Sequence, residues 1–102
     1  MRYTLLDNIQ SLKNMVRIDF DYVSTNDEFW KFVDYIIKGL NSINWFENKH
    51  PRTVLGGVIY WCFVEKKCHV TQEEMAFSLG ICSSGIRKHY HELKKYMDIN
   101  YI

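Results

Sequence analysis

An all-α domain of five helices is what this sequence predicts. Apolar residues recur at helical spacing along most of its 102 residues, and turn formers are scarce, with 5 Gly and 1 Pro. No two segments offer each other the alternating pattern that a sheet would need. Hydrophobic residues make up 47% and aromatics 16%, enough for one compact core and little more at this length.

The first helix is expected over Thr4 to Ile18, where Leu5, Ile9, Leu12 and Val16 form one apolar stripe that Leu6 and Met15 widen. Residues 19 to 26 mix polarities and close on the helix starters Ser24, Thr25 and Asn26, so they read as a loop. A second helix is expected from Asp27 to Phe46. Phe29, Phe32, Val33, Ile36, Ile37 and Leu40 form its inward face, and Asp27 and Glu28 suit the positive end of its dipole. Gly39 is a weak point where it would fray or bend. Glu47 to His50 is a polar break.

Pro51 opens the third helix, PRTVLGGVIYWCFVE. This segment is apolar on nearly every face, which places it at the centre of the fold. Gly56 and Gly57 would each cost a helix about 1 kcal/mol relative to Ala, a cost that makes sense if a neighbouring helix crosses very close. Its Val, Ile, Tyr, Trp and Phe also suit a strand; helix is preferred because no partner strand is evident. Thr71 caps a fourth helix, with Glu74 completing a T-x-x-E capping box, and Gly80 ends it with a positive φ. Ser83 or Ser84 caps the fifth, which runs to about Tyr96 with Ile86, Tyr90, Leu93 and Met97 facing inward.

The segment Thr71 to Tyr90 carries the functional signal. It reads as two short helices around a tight turn: Ala76 is small where the helices approach, Gly80 sits at the turn, and Ile86 lies opposite Met75 and Leu79. That is the pattern of a helix-turn-helix, here over about residues 71–96, whose second helix often enters the major groove of DNA. Plain packing of two helices uses the same residue types. The formal net charge of +1 gives no global argument for nucleic acid, so a binding surface has to be local. From Arg52 onward seven Lys and Arg stand against five Asp and Glu, and Arg52, Lys88, Lys94 and Lys95 are candidates for a basic rim.

Other chemistries find less support. The odd set Cys62, Cys68 and Cys82 is not a disulfide framework and suggests reduced thiols in a cytoplasm. The start MRYTLLDNIQ is too polar for a signal peptide. The apolar stretch Val54 to Val64 has 11 residues, whereas a membrane span needs about 20, so no membrane association is expected. Cys62, Cys68, His69 and Cys82 are spaced unlike paired zinc ligands, and neither metal nor cofactor is expected. His89 and His91 flank Tyr90 without a nucleophile arrangement around them, so no catalytic residue is assigned and enzymatic activity is not expected. Trp30, Trp45 and Trp61 read as core. The surplus of aromatics would suit a patch for a homodimer or a partner protein.

The stretch from Pro51 to Met97 resembles the C-terminal cyclin-like repeat of archaeal transcription factor B and its eukaryotic counterpart TFIIB. Pro51, Gly56, Gly57, Ile59 and Tyr60 match the family's small-residue helix. Thr71, Gln72, Glu74, Met75 and Ala76 match its T-Q-x-E-[IM]-A start. Gly80, Ile81, Ile86, Arg87, Tyr90, Glu92 and Leu93 match its turn and I-R-x-x-Y-x-E-L block. The resemblance implies a five-helix cyclin-like domain acting at promoters, with a helix-turn-helix reading an element beside the TATA box. It makes Ser83, Ser84, Arg87, Lys88 and His91 the candidate DNA contacts. Arg87 and Ser84 would meet base edges, the Arg fork suiting guanine O6 and N7, and Ser83 and Lys88 would meet phosphates. Family members often carry Val or Thr where Ser84 and Gly85 stand, so a thymine-methyl contact is weakened here. The family's full-length protein adds a zinc ribbon and a second repeat, whereas this sequence shows one repeat and no C-x-x-C pair. The expected function is therefore a small DNA-binding transcription regulator, with duplex DNA and either TATA-binding protein or RNA polymerase components as partners. The alternative is a protein-binding adaptor with a cyclin fold that does not touch DNA.

Overall fold

The helix at the centre of the molecule is the one that is apolar on every side. In the computed structural model, which describes residues 10–16, 27–68 and 70–100, five helices and no strand occur among the described residues. They are α1 (10–16), α2 (Asp27–Ser42), α3 (Pro51–Glu65), α4 (Gln72–Leu79) and α5 (Ser83–Asn100). The expected beginning of the first helix, the loop over 19–26, His69 and the last two residues lie outside the described residues. Within α1, Leu12 and Val16 are fully buried, as their stripe requires.

In α3, Val54 through Ile59 and Trp61 through Phe63 are all buried, and α2, α4 and α5 pack around it. The strand alternative for this segment is excluded by its helical backbone. Its entry is capped by His50, a residue that read only as part of a polar break: the His50 Nδ1 accepts from the Thr53 backbone N–H at 3.4 Å, with Pro51 following. Gly57 lies where α5 crosses. A Cβ there would stand 2.6 Å from the Cβ of His89 and 3.1 Å from the Tyr90 backbone nitrogen, so only Gly admits the approach.

Three helices end in one way. The Trp45 N–H reaches the Leu40 carbonyl at 3.0 Å and the Asn44 N–H that of Asn41 at 3.1 Å, with Asn44 at φ 61°. This is a Schellman motif, and it stops α2 at Ser42 rather than at Phe46 as the apolar spacing suggested. Cys68 bonds Phe63 at the end of α3, with Lys67 at φ 57°, and Ile81 bonds Ala76 at the end of α4, with Gly80 at φ 66°. The Gly80 expectation is met, as is the capping box: Glu74 N–H donates to Thr71 Oγ1 at 3.0 Å, and Thr71 N–H to Glu74 Oε1 at 3.3 Å.

The turn between α4 and α5 is short, and the first helical carbonyl of α5 is that of Cys82, which accepts from Gly85 and Ile86. Cys82 therefore holds the cap position expected for Ser83 or Ser84, and the helix continues past Tyr96 to Asn100. Ile86 and Leu93 are fully buried against α3 and α4, while Tyr90 and Met97 are half-buried at the edge of the same core. His89, read as a flank of Tyr90, is buried. No described helix is long and apolar enough to cross a membrane.

Candidate nucleic-acid interface

Helical geometry sorts α5 into two sides. Ile86, His89 and Leu93 turn into the core, so the opposite side carries Ser84, Arg87, Lys88, His91, Lys94 and Lys95, all exposed. These positions follow the i, i+3, i+4, i+7 rule for one helix face. At about 1.5 Å per residue the stripe runs roughly 16 Å along the axis. Ser83, at the first turn, is half-buried. All five residues expected to contact DNA thus lie on one helix, four of them on its solvent side. Lys94 and Lys95 extend the same face.

The cations on this face outnumber the acids of the same helix, Glu92 and the exposed Asp98, which stand four residues after Lys88 and Lys94. Among the described residues, no carboxylate stands within ion-pair distance of Arg87, Lys88, Lys94 or Lys95. Glu73 and Glu74 sit in the first turn of α4, where Glu74 is occupied by the capping box. At the start of α5, no partner within the described chain takes the N–H of Ser83 or Ser84, and such amides together with the helix dipole favour an anion.

Two arginines have different roles. Arg52, grouped by sequence with the basic rim, turns inward. Its Nε and Nη2 donate to the Leu79 carbonyl at 3.2 and 3.0 Å, and Nη2 also meets the Met15 sulfur at 3.1 Å. It caps the C-terminus of α4 and is removed from the rim. Arg87 remains exposed, and its Nε donates to the Gln72 side-chain oxygen at 3.0 Å. Nothing in the sequence spacing flagged this pair, because residues 72 and 87 meet only through the turn geometry. Gly85, which has no methyl to offer a thymine, faces Thr53: a Cβ there would lie 2.5 Å from the Thr53 methyl. Position 85 is therefore a packing position, and only Ser84 of the two points outward.

Tyr60 of α3 and Tyr90 of α5 meet edge to face, with centroids 5.0 Å apart at 76°, and the Tyr60 hydroxyl hydrogen-bonds the Gln72 side chain. Burial pushes both phenols above their ordinary pKa, so they stay neutral hydroxyls. The His91 ring lies 5.2 Å from that of Tyr90 and is itself exposed.

The cysteines do not converge on this surface. Cys62 is buried in α3, and burial pushes its thiol far up; Cys68 is half-buried and Cys82 exposed. Among the described residues no three His, Cys, Asp or Glu side chains are grouped to hold a metal ion.

A second surface adjoins the C-terminal end of α5, where Asp98 lines it. Tyr35, Ile36 and Leu40 of α2, Trp61 of α3 and Met97 of α5 line an open groove of about 650 Å³, with Tyr35 73% exposed. Trp30 and Trp61 are core residues, as expected, and Trp45 packs against Tyr96 with centroids 5.2 Å apart.

No protein-family model, curated protein or solved structure matches this chain.

Proposed function

We propose that the protein is a small DNA-binding transcription regulator in which α4, the turn at Gly80 and α5 act as a helix-turn-helix. The observation that carries this reading is the exposed face of α5. Arg87, Lys88, Lys94 and Lys95 are aligned there with His91 and Ser84, and none of the four cations is paired with a described carboxylate. A helix of this size enters a major groove about 12 Å wide. Lys88, Lys94 and Lys95 serve phosphates, which give affinity without sequence information; Arg87 and Ser84 serve base edges. The likeness of the segment Pro51 to Met97 to the cyclin-like repeat of transcription factor B supports the same assignment and suggests action at promoters.

The test is a titration of duplex DNA at two salt concentrations. Binding is expected to weaken steeply as salt rises, because each neutralised phosphate releases counterions. Arg87→Ala is expected to weaken binding by about fivefold or more and to relax selectivity at one base position. Unchanged affinity and selectivity in that variant would remove α5 as the reading helix.

A protein-binding adaptor is the second reading, favoured by the open groove with its exposed Tyr35. It predicts no duplex binding at moderate salt and a stable complex with a component of the transcription machinery, such as TATA-binding protein or RNA polymerase. Substitution of Tyr35 by Ser would then abolish the complex, while Arg87→Ala would leave it intact.

A further inference from the structure

We propose that Gln72 is a positioning residue for Arg87, holding its guanidinium as a preformed fork for a guanine edge; the role rests on the DNA-binding reading above. The Arg87 Nε donates to the Gln72 Oε1 at 3.0 Å, which leaves the two terminal nitrogens of this exposed side chain without a partner among the described residues. A guanidinium tethered at Nε has one way to meet guanine O6 and N7, end-on through those nitrogens.

The platform under the tether is rigid. Gln72 is the first residue of α4 and follows Thr71, whose capping box fixes the backbone on both sides. Gln72 is half-buried, and behind it stands Tyr60, packed edge to face on Tyr90, three residues after Arg87. The tether therefore spans all three helices that meet here: α3 through Tyr60, α4 through Gln72 and α5 through Arg87. Ordering a free Arg side chain on binding costs rotamer entropy, and the Gln72 contact removes part of that cost in advance.

The chemistry of the acceptor is the second argument. Glu73 and Glu74 are adjacent in sequence, yet the group that holds Arg87 is a neutral amide. A carboxylate at position 72 would orient the guanidinium equally well but would cancel the charge that a polyanion needs. An amide oxygen fixes direction and leaves the cation uncompensated. The Gln72 side chain also hydrogen-bonds the Tyr60 hydroxyl, so the amide that holds Arg87 is itself held from behind.

The experiment uses the full chain and a randomised duplex DNA pool. Sequences enriched by the wild type are compared with those enriched by Gln72→Met, which keeps length and helix propensity but lacks the acceptor, by Gln72→Glu, which restores it, and by Arg87→Ala alone and combined with Gln72→Met. The wild type is expected to enrich a guanine at one position. Gln72→Met is expected to lose about tenfold of that preference with the salt slope and thermal midpoint unchanged. Gln72→Glu is expected to recover the guanine preference while binding all duplexes more weakly. In the Arg87→Ala background, Gln72→Met is expected to change nothing further. The role is overturned if Gln72→Met selects guanine as the wild type does, if the two losses simply add, or if the wild type binds duplexes without any guanine preference. A wild type with no salt-dependent duplex affinity overturns the DNA-binding reading itself and this role with it.

Discussion

At Gly57 an added carbon would meet the Cβ of His89 and the backbone of Tyr90, atoms that cannot swing aside. Gly57→Ala is therefore expected to lower stability by about 1–3 kcal/mol in urea unfolding, as overpacking does. At Gly56 the first obstacle, at 2.7 Å, is the end of the Ile81 side chain, which can rotate. There the gain of about 1 kcal/mol in helix propensity works against the clash, so Gly56→Ala is expected to cost clearly less. Equal losses at the two positions would contradict the α3–α5 crossing. His89, on the other side of that crossing, has a buried Nδ1 without a hydrogen-bond partner; the nearest carboxylate oxygen, of Glu92, is 3.6 Å away. Burial pushes its pKa below the ordinary 6.5, and Glu92 opposes this while Lys88 and Lys49 add to it. The unfolded chain thus binds a proton that the folded one refuses. This contribution to stability is complete above the ordinary value and is lost as pH falls through it toward the lowered folded value. The urea midpoint is expected to drop between roughly pH 7.5 and pH 5.5, and His89→Gln is expected to flatten that drop. A midpoint independent of pH in the wild type would show that the imidazole titrates normally.

At the scale of elements, the shared ending of α2, α3 and α4 decides their lengths. Each places one residue at a positive φ: Asn44, Lys67 and Gly80 respectively. Gly takes that conformation without strain, Asn tolerates it, and Lys carries a Cβ that crowds the carbonyl. Lys67→Gly is accordingly expected to raise stability by about 0.5–1 kcal/mol, read as a higher thermal midpoint; a lower midpoint would mean that the Lys67 side chain makes a contact worth more than the strain. Sequence legibility follows the same division. The capping box of Thr71 and Glu74 and the stop at Gly80 were legible, because those residue types have few other uses at that spacing. The stop at Ser42 was not, since Ile43, Trp45 and Phe46 continue an apolar run and Asn44 carries no strong signal. Arg52 misled for a related reason. A guanidinium near a basic segment reads as surface, yet the orphan carbonyl of Leu79 is a stronger local partner.

The whole molecule is arranged around α3, with α5 across it and the cationic face of α5 outward. The near-neutral chain therefore gathers Arg87, Lys88, Lys94 and Lys95 on one exposed helix face, with Asp98 as the exposed acid toward its C-terminal end, a local cationic excess that its net charge does not reveal. If Lys94 and Lys95 each meet a phosphate, the double variant Lys94→Ala, Lys95→Ala is expected to reduce the slope of log affinity against log salt by about 2. Selectivity among duplexes should stay unchanged. An unaltered slope would confine the proposed DNA contact to the first turns of α5.

The helical class, the central place of the Pro51–Glu65 segment, the close crossing at its Gly pair and the outward side of the last helix were determined by sequence alone. Each follows from periodicity and the steric needs of single residue types, which act locally. The inward turn of Arg52, the cap position of Cys82, the contact of Gly85 with Thr53 and the tether of Arg87 to Gln72 were decided only by tertiary structure. These depend on which distant groups the packing of α3, α4 and α5 brings within hydrogen-bond or van der Waals reach, and spacing along a chain does not encode that distance.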